Sequence, residues 1–212
     1  GSDTQATIKN EGYEPIHIHN IHTISMGHLV EKGTPLVWRG PMVSAYMLQL
    51  IEKTHWPELD YLIVDLPPGT GDIHLSLCQK IPLSGMCLIT LAQKLSLDDT
   101  DKGLAMLDKL SITKLGCITN MHGFTCSQCQ HHHLLFSENI DAWLEKTKLP
   151  HLGRVGLDSD LAHSAALGQP LMSVTTHPLH KTFRQLATRL GAQLALQPLA
   201  PRGSFPKIVV QS

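Results

Sequence analysis

Short aliphatic runs alternate along the chain with segments whose apolar residues recur every three or four positions. This is the pattern of βαβ units built on a mainly parallel sheet, so the expected fold class is α/β. The runs at 21–26 (IHTISM), 61–64 (YLIV), 85–90 (GMCLIT), 114–119 (KLGCIT) and 151–155 (HLGRV) predict strands. Most are nearly continuous in apolar character, as strands covered on both faces require. Helical spacing places Val43, Met47, Leu50 and Ile51 on one face of a helix over 41–53, and Leu97, Leu104, Leu107 and Leu110 on one face of another over 97–110. Both read as crossover helices. Helices over 140–147 and 181–196 complete the set, the latter with Phe183, Leu186 and Leu190 turned inward. Residues 197–204 (QPLAPRGS) form a Pro/Gly tail that no regular element can use, and there is no internal repeat.

The 212 residues correspond to one domain of ordinary size, since a typical domain has roughly 150. With 42% hydrophobic and 17% charged residues the composition is that of a globular chain, not a disordered one. A net charge of -1 gives no chain-wide positive field for nucleic acid or an anionic membrane, and neither partner is expected. No apolar run approaches the roughly 20 residues that span a bilayer, and the opening GSDTQATIKNEGYE lacks the basic and apolar regions of a signal peptide. A soluble, cytoplasmic protein is the expectation. Gly1 and Ser2 read as a protease-cleavage scar, giving an expected layout of an N-terminal extension over 1–20, an α/β domain over 21–196 and a tail over 197–212. Five cysteines are an odd number at low density, so a disulfide framework is not expected. Cys78, Cys87 and Cys117 sit in apolar contexts and are assigned to the core. Of the 14 histidines only His131, His132 and His133 cluster.

The most informative stretch is 60–73, DYLIVDLPPGTGDI, where an apolar strand ends in a carboxylate and breaks into prolines and glycines. In an open α/β sheet the ligand crevice lies outside the carboxyl ends of the strands, so Asp65 is placed where a metal–phosphate group would bind. A carboxylate there suits Mg²⁺, which takes hard oxygen ligands and keeps several waters. Pro67, Gly69, Thr70 and Gly71 follow, and the glycines let backbone N–H groups approach a phosphate with no Cβ in the way. The alternative is a strand-terminal turn whose Asp caps the next helix.

Cys126 and Cys129 enclose two residues, the spacing that aims two thiolates at one soft metal centre. Two ligands complete neither a tetrahedral zinc nor a cluster. No second Cys-x-x-Cys exists, so a closed zinc site would have to recruit histidines from 131–133. A redox pair belongs at a helix N-terminus, whereas TCSQCQHHH reads as a loop. Zinc, a cluster and a bystander pair all stay open on spacing alone.

The 60–73 segment resembles the Walker B and switch II region of the Mrp/ApbC family of iron–sulfur carrier P-loop ATPases. SMGHLV (25–30), WRGPM (38–42), TLAQ (90–93), DKG (101–103), NM (120–121) and the Cys-x-x-Cys at 126–129 fall in the order and approximate spacing of that family, and the likeness runs from about residue 21 to 196. The resemblance implies that Asp65, the catalytic candidate, helps hold Mg²⁺ through water, that Pro67 to Gly71 sense the γ-phosphate of ATP, and that Asn120 faces the adenine. It implies also that Cys126 and Cys129 join the same pair of a second subunit in a homodimer around a labile [4Fe-4S] cluster, destined for apo iron–sulfur client proteins. Symmetry then converts two thiolates into four. Gln130 stands where glycine is common, Ala92 where proline is usual, Gly156 where an Ile-Pro step is usual, and 137–139 (SEN) replace a Gly-rich stretch.

No Gly-rich loop ending in Gly-Lys-Ser or Gly-Lys-Thr occurs in the chain. The expectation is therefore a P-loop NTPase fold lacking its N-terminal P-loop unit. The Gly1-Ser2 pair favours a segment of a longer chain over a shortened paralogue, and ATP hydrolysis is not expected from this chain alone. Two other functions stay in view: a non-enzymatic zinc-stabilised scaffold, and a partitioning-type ATPase with no need for Cys126 and Cys129.

Overall fold

The computed structural model describes residues 5–9, 11–30, 40–67 and 71–198. Contacts divide the chain into two compact units at the Pro82–Leu83 step. The N-terminal unit holds two antiparallel ribbons, β1 (Ile8–Lys9) with β2 (Gly12–Tyr13) and β3 (Ile16–Ile18) with β4 (Ile21–Thr23). A single 3₁₀ turn (Met26–His28) follows, then α1 (Gly40–Lys53) and α2 (Asp72–Lys80). The two helices pack on each other, burying Leu48, Leu50 and Ile51 of the first and Leu77 and Cys78 of the second, with Ile81 just beyond.

Two strand expectations are corrected here. The run at 21–26 pairs only over Ile21–Thr23, in a hairpin and not in a parallel sheet, and its remainder turns into the 3₁₀ segment. The run at 61–64 forms no strand among the described residues. It has no ladder partner there, and Tyr61 and Ile63 are 67% and 86% exposed. An apolar run becomes a strand only when a neighbour satisfies its N–H and C=O groups.

The second unit matches its sequence pattern closely. Its sheet is parallel in the order β5 (Met86–Thr90), β6 (Lys114–Thr119), β9 (His151–Arg154). Right-handed crossovers are the rule for such connections, and here α3 (Lys94–Lys109) links β5 to β6 while α4 (Ile140–Thr147) precedes β9. Successive residues serve opposite faces, as the two-residue period of a strand demands. On one face Cys117, with Leu88 beside it, packs with Leu97 and Leu104 of α3 and Ile140, Trp143 and Leu144 of α4. On the other face Leu152, Cys87 and Ile118 meet Phe183, Leu186 and Leu190 of α6 (Pro178–Ala195), the three residues expected to turn inward. That helix comes close because β9 offers Gly153, at φ 151: a Cβ there would stand 2.8 Å from Leu186 Cδ2. Burial lifts the Cys87 thiol to about 11 and the Cys117 thiol to about 12, as core residues require.

The second unit also holds a hairpin, a fourth α-helix and a 3₁₀ turn over Leu171–Ser173. A hairpin of β7 (Gly123–Thr125) and β8 (His132–Leu134) follows β6, and α5 (Ser159–Ala166) follows β9. Asp158 caps α5, accepting from the N–H groups of Asp160 and Leu161 at 2.8 and 3.2 Å. Asn139 caps α4 in the same way. The indole N–H of Trp143 donates to Asp101 at 2.9 Å, pinning α4 to α3. Among the described residues no helix is long and apolar enough to cross a membrane.

Candidate functional site

The thiolate pair sits at the tip of the β7–β8 hairpin, so the expected loop is the turn of a ribbon whose arms reach from Gly123 to Leu134. Two backbone bonds close it. Cys126 N–H donates to the His131 carbonyl and Gln130 N–H to the Cys126 carbonyl, both at 2.9 Å. The return requires Gln130 at φ 57, the left-handed region glycine adopts without strain, which explains why glycine suits this position. Its side chain contributes in turn, donating to the Ser127 carbonyl at 3.1 Å.

This turn also tunes sulfur chemistry. Backbone N–H groups of Cys129 and Gln128, then the Cys129 thiol, hydrogen-bond to Cys126 and pull its thiol below the ordinary value, favouring the thiolate that binds soft metals. Cys129 is exposed and Cys126 half-buried. On the arms of the hairpin and just beyond them, Phe124, Leu134 and Leu135 are 36%, 62% and 38% exposed. Phe124 stacks on His133 with centroids 5.1 Å apart, and His131 meets His133 edge-on at 4.6 Å. No histidine completes the pair. Among the described residues only Asp158, Asp160 and His177 bring three potential ligand atoms within 4.8 Å of one another, and that group excludes both cysteines.

Two members of that group, Asp158 and His177, are accounted for by helix capping. His177 Nδ1 accepts the Leu179 N–H at 3.2 Å, which leaves the proton of the neutral ring on Nε2, facing Asp160 at 3.5 Å and Asp158 at 3.8 Å. A protonated Nε2 cannot ligate a metal. At the base of the hairpin, His122 N–H donates to the Val155 carbonyl at 3.0 Å. Burial, and next the Arg154 guanidinium, hold the His122 imidazole below its usual range; His151 is lowered by the same two causes.

The candidate nucleotide residues are divided between the two units. In the N-terminal unit Asp65 is exposed, within the irregular 61–67 segment. It does not cap α2, because the N-cap is Gly71, which offers no side-chain bond. The first-turn N–H groups of α2 are thus free of any side-chain cap, a feature that suits an anion. His74 braces this approach, its Nε2–H donating to the Pro67 carbonyl at 2.6 Å across a buried ring. His74 carried no signal in the sequence, since a lone histidine in a helix is ordinarily solvated. Gly69 and Thr70, with Pro68 between Pro67 and them, lie outside the described residues, as do Trp38 and Arg39 of the 38–42 motif.

In the second unit Asn120 follows β6 and is half-buried. Its N–H donates to the Thr90 carbonyl at 2.8 Å, and its Oδ1 accepts the Met121 N–H at 2.9 Å. The amide is thereby fixed in orientation, with its NH₂ group left to a ligand. The neighbouring 90–93 loop is held by a hydroxyl chain: Thr100 donates to Thr90 at 2.8 Å, Thr90 meets Ser96 at 2.9 Å, and Ser96 accepts the Leu91 N–H at 3.0 Å. Ala92 is buried beneath it.

Comparison with known proteins adds a third line. A family model described as "ParA: NUBPL iron-transfer P-loop NTPase" matches residues 1–191. The "Iron-sulfur cluster carrier protein" of Escherichia coli (strain K12) is 38% identical over 201 residues, covering 93% of this chain and 54% of that protein. The "Iron-sulfur cluster transfer protein NUBPL" of Mus musculus is 38% identical over 191 residues, covering 89% and 60% respectively. The chain therefore spans about half the length of the curated relatives it matches. Among solved structures, a nucleotide-binding protein in complex with ADP from Archaeoglobus fulgidus aligns with a TM-score of 0.65 at 27% identity, covering 78% of this chain and 65% of that one.

Proposed function

Since the chain belongs to the NUBPL iron-transfer P-loop NTPase family, we propose that it carries iron–sulfur clusters: Cys126 and Cys129 supply two thiolates to a [4Fe-4S] cluster, and a second copy supplies the other two. The observation that carries this reading is a cysteine pair at a hairpin tip, with the Cys126 thiol held below its ordinary value and no third protein ligand among the described residues. A two-fold axis beside the hairpin tip completes the ligand set without another cysteine. Exposed Phe124, Leu134 and Leu135 would give the second copy apolar surface to bury. An exposed cluster held by only two residues per subunit is also suited to release, and apo-proteins with cysteine ligands are the proposed recipients.

Nucleotide has a supporting part in this reading. Asp65 would hold Mg²⁺ through water, Pro67, Gly69, Thr70 and Gly71 would line the γ-phosphate, and Asn120 would present its amide to the adenine. Mg²⁺ would neutralise phosphate charge when bound. His74 keeps the Pro67 end of that loop in place, and the Asn120–Met121 bond sets the amide plane.

Anaerobic reconstitution with iron and sulfide tests the cluster. The expected product is a brown dimer, lost in Cys126→Ala and in Cys129→Ala, because each change removes two of four thiolates from a symmetric site. Equal iron retention in both variants overturns the bridging arrangement. Stoichiometric zinc in aerobically purified protein would favour the scaffold instead, and full activity without either cysteine would favour a partitioning-type ATPase.

A further inference from the structure

The N-terminal unit carries a pair of imidazoles that neither cluster nor nucleotide chemistry uses. β3 and β4 are joined by the two-residue loop His19-Asn20, both at positive φ (50 and 60), the arrangement of the turn whose twist matches a tight hairpin. In such a hairpin the pair flanking the loop, Ile18 and Ile21, exchanges backbone hydrogen bonds. The next pair, His17 and His22, then falls at a non-hydrogen-bonded position, where side chains come closest. Their rings stack with centroids 4.6 Å apart and 24° between planes. Ile16, Ile18, Ile21 and Thr23 alternate to the other face of the ribbon. His17 is exposed and His22 half-buried. Neither ring makes a hydrogen bond among the described residues, so no described residue claims their lone pairs.

We propose that His17 and His22 bind a divalent transition cation of borderline softness, of the class of Zn²⁺, Ni²⁺ or Cu²⁺, at a site chemically separate from the Cys126/Cys129 thiolates. Neutral imidazole nitrogen is a preferred ligand for these ions, whereas Mg²⁺ and Ca²⁺ select oxygen. The ladder and the short loop hold both donors side by side before the ion arrives, which cuts the ordering cost of chelation. The second side-chain torsion of histidine is broad, so modest rotation turns one nitrogen of each stacked ring towards a shared ion. Water fills the remaining positions, as in an open site. A structural alternative is that the rings only stack to support the hairpin, and the test separates the two.

The full chain carrying Cys126→Ser and Cys129→Ser, so that thiolates do not compete, is titrated with Ni²⁺ by calorimetry at neutral pH. Cu²⁺ is added separately for electron paramagnetic resonance. The expected result is one tight equivalent, weakened at least about tenfold by His17→Phe and by His22→Phe, since losing one of two chelating donors removes about 1.4 kcal/mol or more. Phenylalanine keeps a stacking ring, so thermal melting of these variants should stay near the parent while binding falls. The Cu²⁺ spectrum should show coupling to two nitrogens, reduced to one in either variant. Unchanged Ni²⁺ affinity in both phenylalanine variants overturns the site, as does affinity that falls only when His131 and His133 are replaced by alanine.

Discussion

At the scale of single residues, the thiols divide into two chemical classes. Backbone N–H groups hold the Cys126 thiol low, while burial lifts Cys87 to about 11 and Cys117 to about 12. Near pH 7.5 iodoacetamide should therefore alkylate Cys126 well before Cys87 or Cys117, read by mass spectrometry of peptides; labelling of all three at one rate would contradict this assignment. The same shifts set the sign of an alkaline transition. A buried thiol stays protonated in the folded state above the pH where its unfolded counterpart ionises, so the unfolded state gains as pH rises. Stability in urea should hold below about pH 8.5, the ordinary thiol range, and decline from there towards the raised values of Cys87 and Cys117. Cys117→Ala should flatten that decline although it lowers stability at neutral pH by creating a cavity. Gln130 gives a second residue-scale outcome. A left-handed non-glycine residue carries about 1 kcal/mol of strain, part of which the Ser127 bond and the flexibility of unfolded glycine offset. Gln130→Gly should thus stabilise by about 0.5 kcal/mol, a rise of about 1–2 °C in Tm by calorimetry. A fall in Tm would show the side-chain bond to be worth more than the backbone strain.

At the scale of elements, the second unit depends on how closely α6 approaches β9. Gly153 has φ 151 and leaves Leu186 room that a methyl group would fill at 2.8 Å. Arg189 on the same helix donates to the Leu152 carbonyl at 2.8 Å, fixing its distance from the strand. Gly153→Ala combines overpacking with an unfavourable backbone angle, and should cost about 2–4 kcal/mol. Equilibrium unfolding would measure this, with Gly191→Ala as the control, since a Cβ at Gly191 meets nothing within 4 Å. Equal effects of the two changes would mean that α6 can shift outward at little cost. The hairpin of β7 and β8 is tied to the segment that follows β9, with Leu157 N–H donating to the Gly123 carbonyl at 2.7 Å. The cysteine turn is therefore anchored to a parallel sheet, although its own strands are only three residues long.

For the whole molecule, the residues proposed for nucleotide are an incomplete set. As proposed, Asp65, the loop from Pro67 to Gly71 and Asn120 would address magnesium, γ-phosphate and base, but the 212 residues contain no Gly-rich loop and lysine to cradle the β-phosphate. That cradle is normally the main anchor, because several N–H groups and a helix N-terminus converge on one anion. This chain by itself should bind ATP weakly or not at all by calorimetry. Micromolar affinity would mean that the phosphates are held by residues not identified here as ligands. In the proposed bridging arrangement the cluster would need only Cys126, Cys129 and a second copy, so reconstitution should succeed in protein that fails to bind ATP.

The sequence alone determined the α/β class, the bounds of β5, β6, α4 and β9 to within a residue, the core assignment of Cys87 and Cys117 and the family, because each is written in local periodicity or in an ordered string of short motifs. Strands 86–90, 114–119 and 151–154 and the helix at 140–147 fall where apolar spacing puts them. The apolar run at 61–64 reads equally like a strand, yet a ladder is a non-local property and no described neighbour supplies one. Tertiary structure alone decided that the cysteine segment is the tip of a hairpin: ribbons of two or three residues are too short to show alternation. It decided also that Gln130 is left-handed, that His74 clamps Pro67 and that His17 stacks on His22. Those features depend on cross-strand register and on which carbonyl a buried ring meets, and a linear spacing carries neither.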